Sequence, residues 1–202
     1  MSDAGSADRS GARQPERFDP ARADRLDDPA REGWLPTARL IALLDVRAGM
    51  TVIDFGAGTG AVALPLARAH PGATIVALDE QPAMLERLRE RAGAQMRGNL
   101  RTIAPSEIDA FRGRCERVLA VNVLHELGDA ALAELVDLLA PDGFALVVDW
   151  SADVERSVGP PRDHVYRPEE AHARLERLGL QVTELVAEFP NHYALFAFKR
   201  GA

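Results

Sequence analysis

The stretch "VIDFGAGTGA", Val52 to Ala61, constrains this chain more than any other. A short β-branched run holds a carboxylate at Asp54, and Gly56, Gly58 and Gly60 follow at alternate positions. Glycine takes positive φ at little cost and has no β-carbon to keep a ligand away. A loop of this kind between strand and helix therefore brings bare backbone against something flat or extended. The pattern predicts a strand over Thr51–Phe55, a loop over Gly56–Gly60 and a helix after it.

The same alternation continues. "TIVALD" precedes "PAMLERLRERA", and "RVLAVNV" precedes "AALAELVDLLA", which leads to "FALVVDW". Apolar strands joined by crossover helices mean an α/β fold with a parallel sheet buried on both faces. The last third differs: "PEEAHARLERLGL" reads as a helix, and "QVTELVAEF" and "HYALFAFKR" as strands with only "PN" between them, hence antiparallel. Ahead of the loop, "FDPARADRLDDPAREGWLP" reads as short helical pieces broken by Pro20, Pro29 and Pro36. "TARLIALLDV" then reads as an amphipathic helix with Thr37 as its cap and Leu40, Ile41, Leu43 and Leu44 on its apolar face. Pro65 falls early in the helix after the glycine loop and should remove one backbone bond near Ala61. Residues 1–16 have no apolar anchor and are expected to be a disordered tail. With no internal repeat and no interior linker, 17–202 is expected to be a single domain whose first part, 17–46, forms a helical lid.

Asp79 closes "TIVALD" nineteen residues past Gly60. A carboxylate at that strand end can accept both hydroxyl protons of a ribose, so a nucleoside-containing cofactor is expected. "GAGTGA" fits the dinucleotide fingerprint as well as a tighter G-x-G-x-G loop. Asp54 favours the second, because a carboxylate two residues before the first glycine repels a pyrophosphate and suits a cation. Some fifty residues precede the loop and about 140 follow it, too few for the separate substrate domain of a dehydrogenase.

"VIDFGAGTG", "ALDEQPAML", "RVLAVNVLHEL" and "LLAPDGFALVVDW" together resemble the class I S-adenosylmethionine-dependent methyltransferases of the small-molecule type, from about Phe18 to Arg200. The resemblance implies a Rossmann-like three-layer sandwich with a mostly parallel seven-stranded sheet, order 3-2-1-4-5-7-6, its last strand antiparallel and helices on both faces. It implies S-adenosyl-L-methionine as cofactor and transfer of its methyl group to a small-molecule acceptor by in-line displacement. Carried over residue by residue, Gly56, Ala57, Gly58 and Gly60 would pass under the methionine and ribose portions, and Asp54 would orient the methionine end. Asp79 would bind the ribose hydroxyls, Glu80 and Gln81 would lie beside the adenosine, and Met84 would meet the adenine edge. Asn122 and Val123 would face the methionine amino group. The family usually places an Asp and a small residue after the third strand; this chain reads "TIAPSEIDAF", so Ser106 or Glu107 stands in as substitute.

Transfer from a sulfonium chiefly requires alignment, but a phenol, amine or acidic carbon as acceptor is helped by a base. His125 in "VNVLHEL" is the candidate, set against a role in capping or loop bonding with Glu126. Trp34, Trp150, His164 and Tyr166 are candidates to border the acceptor, each against a packing role; His192 and Tyr193 read as structural. No histidine spacing suggests a metal site, and Cys115, alone, leaves no internal disulfide. The net charge of −7 argues against nucleic acid or anionic membrane as partner. No apolar run reaches the ~18 residues of a membrane span, and the start lacks the apolar core of a signal peptide, so a cytoplasmic protein is expected. Two other classes stay open: a non-catalytic S-adenosylmethionine-binding protein and an NAD(P)-dependent oxidoreductase. The methylated atom and the oligomeric state are not legible.

Overall fold

Strands form where β-branched and apolar residues fill successive positions. In the computed structural model, which describes residues 18–93 and 98–199, five such runs are parallel: β1 (Thr51–Phe55), β2 (Thr74–Leu78), β3 (Leu100–Ile103), β4 (Cys115–Val121) and β5 (Leu139–Trp150). β6 (Leu180–Phe189) and β7 (His192–Lys199) follow, joined by Pro190 and Asn191, and β7 runs antiparallel to both β5 and β6. The order β3-β2-β1-β4-β5-β7-β6 is the expected one. Connections leave β1 in one direction and β4 in the other, so a crevice opens outside the carboxyl ends of these two strands, where open α/β sheets take their ligands.

Period-two alternation sorts the side chains onto two faces. Val52, Ile75, Ala77, Leu119 and Val148 pack with α1 (Thr37–Leu43), α2 (Ala63–Ala69) and α3 (Pro82–Ala92). Their neighbours Ile53, Val76, Leu78, Val118 and Val147 pack with α4 (Asp129–Leu138) and α5 (Pro168–Glu176). Three layers result, with every central strand buried on both sides.

Local chemistry moved some boundaries. Thr37 is the first residue of α1 rather than its cap, which is Pro36; the Thr37 hydroxyl donates to Glu32 instead. The helix after the glycine loop becomes regular only at Ala63. Leu64 and Leu66 donate to Gly60 and Val62 on either side of Pro65, which has no N–H to give. α4 ends at Leu138, two residues earlier than the apolar pattern suggested, and β5 begins at the next residue, five residues earlier. β5 is irregular near its start: a β-carbon on Gly143 would stand 2.6 Å from the Cys115 carbonyl oxygen, so only glycine lets the chains approach there.

The segment before α1 forms two 3-10 helices, Pro20–Asp27 and Pro29–Gly33. Each starts at a proline, and the preceding aspartate caps it: Asp19 accepts from Ala21 N–H (3.0 Å) and Asp28 from Ala30 N–H (2.9 Å). We call this segment the strap. It crosses the carboxyl ends of the strands and is tied there by polar contacts. Phe18 N–H donates to Glu126 Oε2 (2.9 Å) and Gln81 Nε2 donates to Phe18 O (3.0 Å). Thr59 Oγ1 donates to Asp27 Oδ1 (2.7 Å), and Arg87 pairs with Asp24 (2.7 Å). The tail expected over residues 1–16 lies outside the described residues.

Candidate functional site

After β1 the chain turns at Gly56, whose φ of +75° is in the left-handed region. The amides of Gly56 and Ala57 both donate to Leu78 O, at 2.8 and 2.9 Å, so the loop is stitched across the end of β2. A β-carbon on Gly56 would lie 2.6 Å from Val123 Cγ2, which means that the turns after β1 and β4 are in contact through bare backbone. Gly60 stands behind the loop, where its missing β-carbon would meet Leu88 Cγ of α3 at 2.8 Å.

Between this loop and the strap lies a cavity of about 280 Å³. Its lining includes Asp79, Glu80, Gln81, Met84 and Pro105, which follow β2 and β3, together with Asp54 of β1, Asn122 and Val123 after β4, and Arg31 of the strap. Asp79 sits one residue beyond β2, its Oδ2 accepting from Gly58 N–H (2.8 Å) and its Oδ1 from Gln81 N–H (2.9 Å). Burial pushes its carboxyl up, and those two amides oppose the rise. An ionised carboxylate has about four acceptor positions, so two remain for a ligand. Burial pushes Asp54 further, up to about 7, against the pull of Arg31 and the Ala63 amide. Asn122 takes φ +57°, and its Oδ1, like Gln81 Oε1, is buried with no hydrogen-bond partner among the described residues. Buried acceptors without donors are rare and costly in a finished core. The lining suits a ligand with hydroxyls for Asp79 and a cationic group for Asp54 and Asn122.

Of the residues singled out in the sequence, Asp54, Gly56, Ala57, Gly58, Asp79, Glu80, Gln81, Met84, Asn122 and Val123 all line this cavity. Ser106 and Glu107 do not: Glu107 turns back to accept from Ala104 N–H (2.9 Å), capping the 3-10 helix Pro105–Phe111, and it is Pro105 that lines the cavity. The pairing of Pro105 with an acid two residues on was a legible capping signal.

None of His125, Trp34, Trp150, His164 and Tyr166 lines the cavity. His125 follows β4 with its side chain 9 % exposed. Its Nδ1 lies 2.9 Å from Asp149 Oδ1, its backbone N–H donates to Asp149 Oδ2 (2.9 Å), and its Nε2 is 3.7 Å from Glu126 Oε1. Since a carboxylate only accepts, Nδ1 carries the proton and Nε2 faces Glu126. Burial alone would lower the imidazole pKa; the charge and hydrogen bond of Asp149 outweigh it, and the net direction is up. Glu126 does line the cavity, so the pair reaches the site through it. Trp34 of the strap and Trp150 at the end of β5 lie 4.9 Å apart between ring centroids, and His192 packs 4.2 Å from Trp150 and 5.5 Å from Trp34. Burial pushes His192 down to about 3, which keeps it neutral. Tyr166 accepts from Arg174 Nη1 (3.1 Å) and packs on the second core, while His164 sits in the exposed 3-10 helix Arg162–His164. Phe18, Leu26 and Arg31 of the strap line the cavity without having been singled out. Among the described residues no group of three or more His, Cys, Asp or Glu is placed to hold a metal ion, and no helix is long and apolar enough to cross a membrane.

A family model described as a methyltransferase domain matches residues 53–145, the span that carries the glycine loop, Asp79 and the β4 turn. Trans-aconitate 2-methyltransferase of Methylobacterium radiotolerans is 35% identical over 136 residues, covering 64% of this chain and 48% of that protein. Malonyl-[acyl-carrier protein] O-methyltransferase of Geobacter sulfurreducens is 32% identical over 155 residues, 68% of this chain and 58% of that protein. The chain thus spans about half the length of these curated relatives. A solved S-adenosylmethionine-dependent methyltransferase from Aquifex aeolicus superposes with a TM-score of 0.81 at 26% identity, covering 90% of this chain and 98% of that one. The sheet order, the loop geometry and these likenesses agree in supporting a class I S-adenosylmethionine-dependent methyltransferase.

Proposed function

We propose that this chain transfers a methyl group from S-adenosylmethionine to a small-molecule acceptor in the cytoplasm. The observation that carries the reading is one cavity lined by the Asp79 carboxylate, by Asp54 and by Asn122, whose Oδ1 has no partner among the described residues. These residues fit the cofactor: Asp79 would take the ribose hydroxyls, Gln81 and Met84 the adenosine, and Asp54 with Asn122 the aminoacyl ammonium. When bound, S-adenosylmethionine supplies a methyl group already activated by its sulfonium. The chain's share is then to align the acceptor, exclude water under the strap, which acts as a lid, and receive a proton where the acceptor carries one. His125 Nε2, oriented by Asp149 and reached through Glu126, is the proton-accepting atom.

Parallel calorimetric titrations with S-adenosylmethionine, S-adenosylhomocysteine and NADH test the reading. Micromolar binding of the first two without the third is expected, and binding of NADH alone overturns it. With an acceptor in hand, His125→Gln should slow turnover by about 10²-fold or more while leaving cofactor affinity within about threefold. Wild-type activity should rise with pH through the His125 pKa; an unchanged rate in the variant returns this residue to a structural role.

Asp54 gives a second prediction. Its folded pKa of about 7 lies above the ordinary 3.8, so the stability it contributes is full below the ordinary value and is lost as pH rises through 7. A cationic ligand favours the ionised form. Cofactor affinity should therefore increase as pH rises towards 7, by up to about tenfold per unit, and level off above it, with a proton released on binding below 7. Titration in buffers of different ionisation enthalpy reads that proton directly, and Asp54→Asn should flatten the profile. A pH-independent wild type would contradict a cationic group beside Asp54.

A further inference from the structure

We propose that the Glu126 carboxylate is the group that takes the acceptor's proton, and that taking it loosens the strap, so that each methyl transfer prepares the release of its own product. This role rests on the methyltransferase reading and calls for an acceptor with an O–H or N–H proton to give. Asp149, His125 and Glu126 form a line from the core to the cavity. Their side chains are 0%, 9% and 17% exposed, and of the three only Glu126 lines the cavity. Asp149 is fully engaged: it accepts from the His125 backbone N–H (2.9 Å), from His125 Nδ1–H (2.9 Å) and from Trp150 N–H (2.7 Å). With Nδ1 spent there, His125 turns Nε2 towards Glu126 Oε1 at 3.7 Å. That is too long for a direct hydrogen bond, and a lone pair and an ionised oxygen facing one another repel, so the pair favours taking up one proton.

The charged surroundings agree. Burial pushes the Glu126 carboxyl up, Asp149 and Asp79 add to the rise, and Phe18 N–H and His125 oppose it. Asp149 draws His125 up as well, against burial and Arg156. A proton released in the cavity meets Glu126 first and reaches Nε2 only by way of it, so Glu126 is the catalytic residue and His125 and Asp149 are positioning residues behind it. In the transfer the acceptor's O–H or N–H bond breaks and its proton goes to Glu126. The freed electron pair forms the bond to the methyl carbon, and the carbon–sulfur pair stays on sulfur, leaving S-adenosylhomocysteine. An acceptor that is already an ionised carboxylate has no such proton and gains nothing from this line. The other oxygen of the same side chain holds the strap: Glu126 Oε2 accepts from Phe18 N–H (2.9 Å), while Gln81 Nε2 holds Phe18 O. A hydrogen bond to an ionised acceptor is roughly twice as strong as a neutral one. Whether the proton rests on Oε1 or on Nε2, Oε2 then holds the strap less firmly than the free carboxylate does.

The first test needs no acceptor. Dissociation of tritium-labelled S-adenosylhomocysteine under an unlabelled chase is followed by rapid filtration for wild type, Glu126→Gln and Glu126→Asp. Glutamine keeps the shape and an oxygen for Phe18 N–H but carries no charge. At alkaline pH Glu126→Gln should release the ligand about 3- to 10-fold faster than wild type. The gap should close as pH falls through the pKa of the His125–Glu126 pair, because wild type quickens; Asp54 titrates in both proteins and cancels in their ratio. Glu126→Asp keeps the charge and should restore part of the pH dependence. The second test measures turnover with catechol as the proton-bearing probe and trans-aconitate as the ionised one. Glu126→Gln should lower kcat for catechol by about 10²-fold or more, leave KM within about threefold and flatten the acid limb of the pH profile. Equal release rates in wild type and Glu126→Gln across pH, or a wild-type kcat for catechol in the variant, overturn the role of Glu126. Methylation of trans-aconitate but of no phenol, alcohol or amine overturns the acceptor class, and where no probe turns over the release ratio decides. A wild type that binds no S-adenosylhomocysteine overturns the methyltransferase reading itself, and the role of Glu126 with it.

Discussion

Asp79→Ala is expected to weaken S-adenosylhomocysteine binding by about two orders of magnitude or more. Hydrogen bonds to a charged acceptor contribute about 1.5–3 kcal/mol each, and each 1.4 kcal/mol is tenfold in affinity. The carboxylate also accepts from the amides of Gly58 and Gln81, so its loss frees the middle of the glycine loop and the start of α3 together. Asp79→Asn keeps one acceptor oxygen and should fall between alanine and wild type. Calorimetry reads the effect directly, and an alanine variant within about threefold of wild type would remove Asp79 from the cofactor site.

The largest stability effect should come from Gly56→Ala, at about 2–5 kcal/mol. A non-glycine residue at φ +75° costs about 1–2 kcal/mol, and a methyl group 2.6 Å from Val123 Cγ2 adds an overpacking cost of about 1–3 kcal/mol. Gly58→Ala should cost less, because its β-carbon would approach only Leu26 Cδ1, at 3.1 Å, the far end of a flexible side chain. Val123→Ala removes the colliding methyl groups, so the double variant should recover the overpacking part and leave the conformational part. Chemical denaturation of the four proteins measures the coupling. Equal destabilisation by Gly56→Ala and Gly58→Ala would rule out Val123 as the cause.

The sheet and the floor of the cavity were legible because their determinants are local. Strand periodicity, the glycines at 56, 58 and 60, and an acid at the end of β2 all lie within short windows of sequence, and sheet twist and crossover handedness do the rest. The roof was not legible, because the strap is fastened by contacts across great sequence separation. Phe18 reaches Glu126 and Asp27 reaches Thr59, and nothing periodic in "FDPARADRLDDPAREGW" marks Arg31 as different from its neighbours. His125 was picked out by its place after β4, but only the fold brings Asp149 from the end of β5 against it. Ser106 and Glu107 were drawn from a family position, whereas the local capping of Pro105–Phe111 had already committed Glu107 to its own helix.

The chain's two tryptophans stand in one cluster, Trp34 on the strap and Trp150 on the sheet, with ring planes tilted by 40°. Indole emission from this protein therefore comes wholly from the seam between strap and sheet. His192 between them is neutral across ordinary pH and adds no titration of its own. The molecule thus carries a built-in optical reporter on the contact between strap and sheet, readable on the unlabelled chain.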